Sequence, residues 1–265
     1  MNSAPIGIFD SGLGGLTVAR AIFERLPYES TVYFGDTARV PYGPKSPETV
    51  RRYSLEILQW LVGQGVKAVV IACNTSTAHA LQALRDASPV PVVGVIEPGA
   101  RAAIAGSKGR VGVIGTAGTI ASGAYRRAIE ARAPDFEVFQ QACPLFVPLV
   151  EEGWFDHPAA RLIAAEYLRP VREAAVDALV LGCTHYPLLK PLLQAEMGPD
   201  VRLIDSGEET ARALEEILAR NGITGAPDAA SSHRFVVSDD EARFRSVGAR
   251  FIGERLSGAE VVPLG

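Results

Sequence analysis

Two cysteines stand in matching local settings 110 positions apart. Lys67-Ala-Val-Val-Ile-Ala-Cys73-Asn74-Thr75 and Asp177-Ala-Leu-Val-Leu-Gly-Cys183-Thr184-His185 are each an apolar, β-branched-rich run that ends in a small residue, then cysteine, then small polar residues. A buried parallel strand reads this way, and its carboxyl end is where open α/β sheets place their ligand sites. A thiol is a usable acid and its thiolate a usable base. Two such groups facing one substrate from opposite sides can take a proton from one face and return one to the other, which inverts a stereocentre.

Groups that could ionise or orient the thiols lie close in sequence. Asn74 and Thr75 follow the first cysteine, and Thr184 and His185 follow the second. An imidazolium or a helix N-terminus favours a thiolate over a thiol of pKa about 8.5. His185 could supply that influence or relay the thiol proton. Asp10, in Asp10-Ser11-Gly12-Leu13-Gly14-Gly15, is a carboxylate at the end of the first strand-like run and could act likewise for Cys73. The glycines there do not complete a dinucleotide fingerprint, because Thr17 stands where the third glycine should be. They serve a tight turn and close helix packing. Tyr42-Gly43 lies in a proline- and glycine-rich loop after the second strand and can form a wall of the site. Glu152, beside Glu151, reads as half of a solvated acidic pair. Cys143 reads as a packing residue, and His79, His157 and His233 as surface or packing groups.

Composition narrows the function. The 265 residues are 48% hydrophobic and 21% charged, with net charge −4, which leaves no basic footprint for nucleic acid. No apolar stretch is long enough to span a membrane, and no signal peptide is evident in Met1-Asn2-Ser3-Ala4-Pro5. Three cysteines without a C-x-x-C pattern form neither a disulfide framework nor a metal cluster, so a reducing, cytoplasmic location is expected. Lys45, Lys67, Lys108 and Lys190 are the four lysines, and none sits just after an apolar strand run where a pyridoxal Schiff base would be expected. No cofactor and no metal are expected.

The elements that must position these residues alternate along the chain. Strands are expected at Ile6–Phe9, Thr31–Phe34, Ala68–Ala72, Val92–Ile96, Arg110–Ile114, Glu137–Gln140, Ala178–Leu181 and Arg202–Ile204, with short late strands at Phe235–Val237 and Glu260–Val262. Helical periodicity marks Thr49–Val62, Ala78–Asp86, Ala159–Ala174 and Glu208–Arg220. Such alternation means parallel sheets covered by helices. The run opening at Ile6 and closing in Asp10-Ser11-Gly12 parallels the one from Val111 to Gly115-Thr116-Ala117, which points to an internal duplication. The expected fold is therefore α/β, with two similar parallel-sheet domains in a pseudo-twofold relation and the active site between them. Boundaries are expected near the breaker Glu97-Pro98-Gly99 and near Asp205-Ser206-Gly207. The first domain then comprises 1–97 plus 208–265 and the second 98–207, with a surface loop at Gly222–Ser232.

Five motifs in order carry a family resemblance: Ile6–Leu16, Phe34-Gly-Asp-Thr37, Pro41-Tyr-Gly43, Ala72-Cys-Asn-Thr75 and Leu181-Gly-Cys-Thr-His-Tyr-Pro187, with Ile204-Asp-Ser-Gly207 closing the match. Together they resemble the glutamate racemases of the cofactor-independent aspartate/glutamate racemase superfamily. The resemblance implies an isomerase acting on glutamate, supplying D-glutamate for peptidoglycan, with a site between two α/β domains and a homodimeric assembly. It implies Cys73 and Cys183 as acid/base catalysts, assisted by Asp10 and His185 respectively. It also implies that Asp10, Ser11, Tyr42, Gly43, Asn74, Thr75, Thr184 and His185 contact the substrate. Glu152 matches a site-proximal position less securely, and the last fifty or so residues carry no motif. The alternatives are another racemase of the superfamily, acting on aspartate, and a non-catalytic amino-acid-binding relative.

Overall fold

The computed structural model describes residues 2–227, 230–256 and 258–264. Its strands are β1 (Ile6–Asp10), β2 (Thr31–Gly35), β3 (Ala68–Ile71), β4 (Val92–Gly94), β5 (Arg110–Gly115), β6 (Glu137–Ala142), β7 (Ala178–Gly182), β8 (Arg202–Asp205), β9 (His233–Val237) and β10 (Glu260–Val261). The helices are α1 (Leu16–Arg25), α2 (Pro47–Gly63), α3 (Asn74–Ala87), α4 (Ile96–Gly106), α5 (Ala117–Ser122), α6 (Ala124–Glu130), α7 (Phe146–Glu151), α8 (Pro158–Glu173), α9 (Lys190–Met197), α10 (Ser206–Arg220) and α11 (Glu241–Ile252).

The strands make two parallel sheets, ordered β10-β9-β2-β1-β3-β4 and β6-β5-β7-β8. The run β2-β1-β3-β4 has the same order as β6-β5-β7-β8, so β1 corresponds to β5 and β3 to β7. Each sheet belongs to one of two α/β domains. In this correspondence Cys73 and Cys183, each just beyond its strand, are equivalents. Central strands β1, β3 and β7 are buried throughout, which explains their unbroken apolar runs. Beyond the duplicated part, β9 pairs with β2 and β10 with β9, so the late strands extend the first sheet.

Three local readings differ from expectation. The expected strand Val92–Ile96 stops at Gly94, and Ile96 opens α4. The Glu97-Pro98-Gly99 breaker lies inside the first turns of that helix, where proline's missing N–H costs nothing. Helix α3 begins at Asn74 rather than Ala78, because residues 74–77 are small and polar and show no apolar period. Helix α10 starts at Ser206, capped by the Asp205 carboxylate accepting from the Gly207 N–H at 2.9 Å. Of the expected Gly222–Ser232 loop, Asp228 and Ala229 lie outside the described residues.

Candidate active site

Both cysteines are delivered by strand ends. Cys73 is the N-cap of α3, and its Sγ accepts from the Ser76 N–H at 3.4 Å while donating to Ser11 Oγ at 3.6 Å. Cys183 follows β7 directly, with Sγ 3.9 Å from Nδ1 of His185. A cavity of about 190 Å³ is lined by both cysteines and by residues of both domains. That is smaller than the roughly 300–1,000 Å³ of drug-sized ligand sites and suits a small substrate.

Nine of the expected site residues line this cavity: Ser11, Tyr42, Gly43, Cys73, Asn74, Thr75, Cys183, Thr184 and His185. Asp10 does not. It lies buried beneath the wall, with Oδ2 accepting from the Gly12 N–H at 3.0 Å and Oδ1 unpartnered among the described residues. Nor does it hydrogen-bond Cys73, whose partners are Ser11 and Ser76. The Tyr42 hydroxyl is also occupied, donating to the buried Asp36 carboxylate. Asp36 further accepts from Arg39 Nε at 2.7 Å and Ser238 Oγ at 2.8 Å, so it pins the Tyr42 loop to the first sheet. Asn74 directs its carbonyl oxygen to the Tyr125 hydroxyl at 2.8 Å, and its buried Nδ2 has no acceptor among the described residues. That leaves a donor free for a ligand.

Several residues escaped the sequence reading. The acid that meets His185 is Glu151, not Glu152: its Oε1 is 3.0 Å from Nε2 of His185, while Glu152 is exposed and outside the cavity. Helical phase decides this, since neighbours on a helix point about 100° apart. Thr116 lines the cavity and bridges to Thr75 at 2.9 Å. It corresponds to Ser11 in the duplication, a signal that the repeat carried. From the motif-free end of the chain, Asp239, Asp240, Arg243 and Phe244 complete the wall.

The Cys73 thiol and the His185 imidazole are both shifted by their surroundings. Burial pushes Cys73 up to about 11, and the Asp10 carboxylate adds to this; hydrogen bonds from Ser76 and to Ser11 oppose it. Burial would lower His185, but its bonds to Cys183 and Glu151 and their charges outweigh that and raise it to about 10. Asp10 is itself raised by burial against the pull of His185 and nearby N–H groups. No group of three or more His, Cys, Asp or Glu among the described residues could hold a metal ion.

Paired thiols at equivalent strand ends line one small cavity. The profile of the Asp/Glu/Hydantoin racemase family matches residues 6–214, and the chain belongs to this family of isomerases. A relative described as glutamate racemase, from Geobacter metallireducens, is 56% identical over 260 residues, covering 98% of this chain and 96% of the relative. The crystal structure of a glutamate racemase isoform from Bacillus anthracis superposes with a TM-score of 0.94 at 41% identity, covering 100% of this chain and 98% of that one. A second, of glutamate racemase from Francisella tularensis in complex with D-glutamate, gives 0.93 at 38% identity, covering 100% and 99%.

Proposed function

We propose that this protein interconverts L- and D-glutamate without a cofactor, using Cys73 and Cys183 as the two acid/base groups, and so supplies D-glutamate for peptidoglycan. The observation that carries the reading is the placement of both thiols, from equivalent strand ends, on one cavity of about 190 Å³. The relatives described as glutamate racemases and the neighbouring structure with D-glutamate support glutamate as the substrate.

His185, raised to about 10 by its bonds to Cys183 and Glu151, stands as an imidazolium beside the Cys183 sulfur, while burial and Asp10 favour the thiol of Cys73. In one direction the Cys183 thiolate takes the α-proton: the C–H bond breaks and an S–H bond forms. Cys73 then gives its proton to the opposite face of the carbanion and is left as thiolate. The reverse direction exchanges the roles. Developing charge on the substrate needs fixed donors in a dry site. Asn74 Nδ2 and the first N–H groups of α3 are suited to a carboxylate, and Ser11, Thr75, Thr116, Thr184 and the Tyr42–Gly43 backbone surround it.

With this reading go a homodimer in the cytoplasm and domains of 1–97 plus 208–265 and 98–207. Sedimentation showing a monomer at micromolar concentration would remove the dimer. The function itself is tested by incubating the purified, chelator-dialysed protein with L-glutamate in D₂O. Loss of optical rotation with α-deuterium incorporation is expected. No exchange, or exchange only after adding a metal or pyridoxal phosphate, would overturn the reading.

A further inference from the structure

Helix α11 touches the Cys183 arm at three points. Arg243 reaches the Glu151 carboxylate, with Nη2 3.0 Å from Oε2, while the other carboxylate oxygen is engaged with His185. Arg250 donates to the Glu151 backbone carbonyl. The Phe251 ring meets the His185 imidazole edge-on, with centroids 5.6 Å apart and an interplanar angle of 90°. Positions i, i+7 and i+8 fall on one face of a helix, so a single docked face makes all three contacts.

Glu151 needs this support. It is the last residue of α7, a helix of six residues, so its carboxylate sits at the negative end of the helix dipole. Its side chain is 23% exposed, with water open to it as an alternative to His185. Two arginines from another element offset the unfavourable position, one at the carboxylate and one at the terminal carbonyl.

We propose that Arg243 is a positioning residue for the reaction: by holding Glu151 against Nε2 of His185, it keeps Nδ1 aimed at the Cys183 sulfur, where the proton is exchanged. The inference rests on the two-thiol reading above and assigns α11 a part in one proton-transfer arm only. The charged and titratable groups around His185 are Cys183, Glu151 and, through space, Asp10, with Arg243 and Arg250 behind Glu151. Asp239 and Asp240 line the same wall as Arg243. Cys73 has none of α11's three contacts and provides an internal control.

The test is alkylation by iodoacetamide at pH 8, with the modification at Cys183 and Cys73 quantified separately by mass spectrometry. Arg243→Ala should lower the Cys183-to-Cys73 rate ratio by roughly threefold or more, since reactivity follows the thiolate fraction. Arg243→Lys should restore part of it, and Glu151→Gln should lower it further. Using the ratio cancels any change in access common to both thiols. With α-deuterated glutamate, the primary isotope effect should change only in the direction in which Cys183 removes the proton. An unchanged ratio in folded Arg243→Ala and Glu151→Gln proteins would overturn the proposal, as would equal isotope-effect changes in both directions. Wild-type protein that fails to racemise glutamate would sink the functional reading instead, while the alkylation ratio would still decide this one.

Discussion

Cys73 and Cys183 occupy equivalent strand ends but keep different company. The duplication that relates them puts Gly115 where Asp10 stands, and Thr75 where His185 stands, so the two thiols have different neighbours. Asp10 works against the Cys73 thiolate, and the sign of its effect is testable. At about 11, Cys73 is roughly one part in a thousand ionised at pH 8. Asp10→Asn removes a charge that raises this value, so Cys73 should alkylate faster below pH 11, and a slower rate would contradict the assignment. Serine at either Cys73 or Cys183 should nearly abolish racemisation in both directions, because a hydroxyl supplies no resting base. Cys143, fully buried with its thiol donating to the Gln141 carbonyl at 3.7 Å, should tolerate the same change in a turnover assay. At this scale the sequence made the thiols, His185 and the small polar residues beside them legible, since they are contiguous. Glu151, Thr116 and Arg243 are brought in by tertiary packing and had no local signal beyond the repeat.

Among the elements, the buried strands were legible because their composition is unbroken, and β9 and β10 were legible as short runs. Helices with a strong apolar period, α2, α8 and α10, could be read to within a few residues. Helix α11 lacked a recognised motif, yet it closes the cavity. Gly14, in the Asp10–Gly15 turn, shows how a position can carry function without a reactive group. A Cβ on Gly14 would lie 2.4 Å from both His185 Nδ1 and Thr184 Oγ1, closer than real contacts allow. The glycine therefore lets the turn before α1 press directly on the Cys183 arm. Gly14→Ala must displace the imidazole or the turn, at a cost of about 1–3 kcal/mol in stability. At least a tenfold loss of kcat is expected for a folded Gly14→Ala protein, taking about 1.4 kcal/mol per tenfold. Normal kcat with an unchanged melting temperature would show that the site has slack there.

For the whole molecule, the carboxyl ends of both sheets converge on the cavity, and hydroxyls stitch the seam. Thr75 bonds Thr116 and Thr119 at 2.9 and 3.2 Å, Thr17 Oγ1 donates to the Thr184 carbonyl at 3.0 Å, and the Gly118 N–H donates to the Gly43 carbonyl at 2.9 Å. At the opposite, amino end of the first sheet, Lys67 and Glu29 form a buried pair 2.5 Å apart, with side chains 1% and 4% exposed. Lys67 also donates to the Asn2 carbonyl at 2.8 Å, and Glu29 accepts from the Gly225 N–H at 2.7 Å. The pair thus ties the N-terminal segment, the turn before β2, the start of β3 and the connection after α10 into one knot. Removing one partner leaves the other charge buried without compensation, which costs about 3–5 kcal/mol. Glu29→Ala should therefore lower the denaturant midpoint sharply. Because the knot sits at the strand ends remote from both thiols, KM and kcat measured well below the melting temperature should stay at wild-type levels. The double variant Glu29→Leu/Lys67→Met should recover part of the stability but not all, since the Gly225 N–H loses its acceptor. A Glu29→Ala protein as stable as wild type would show that water reaches Lys67, and altered kinetics in a folded variant would show that the two ends of the sheet are coupled.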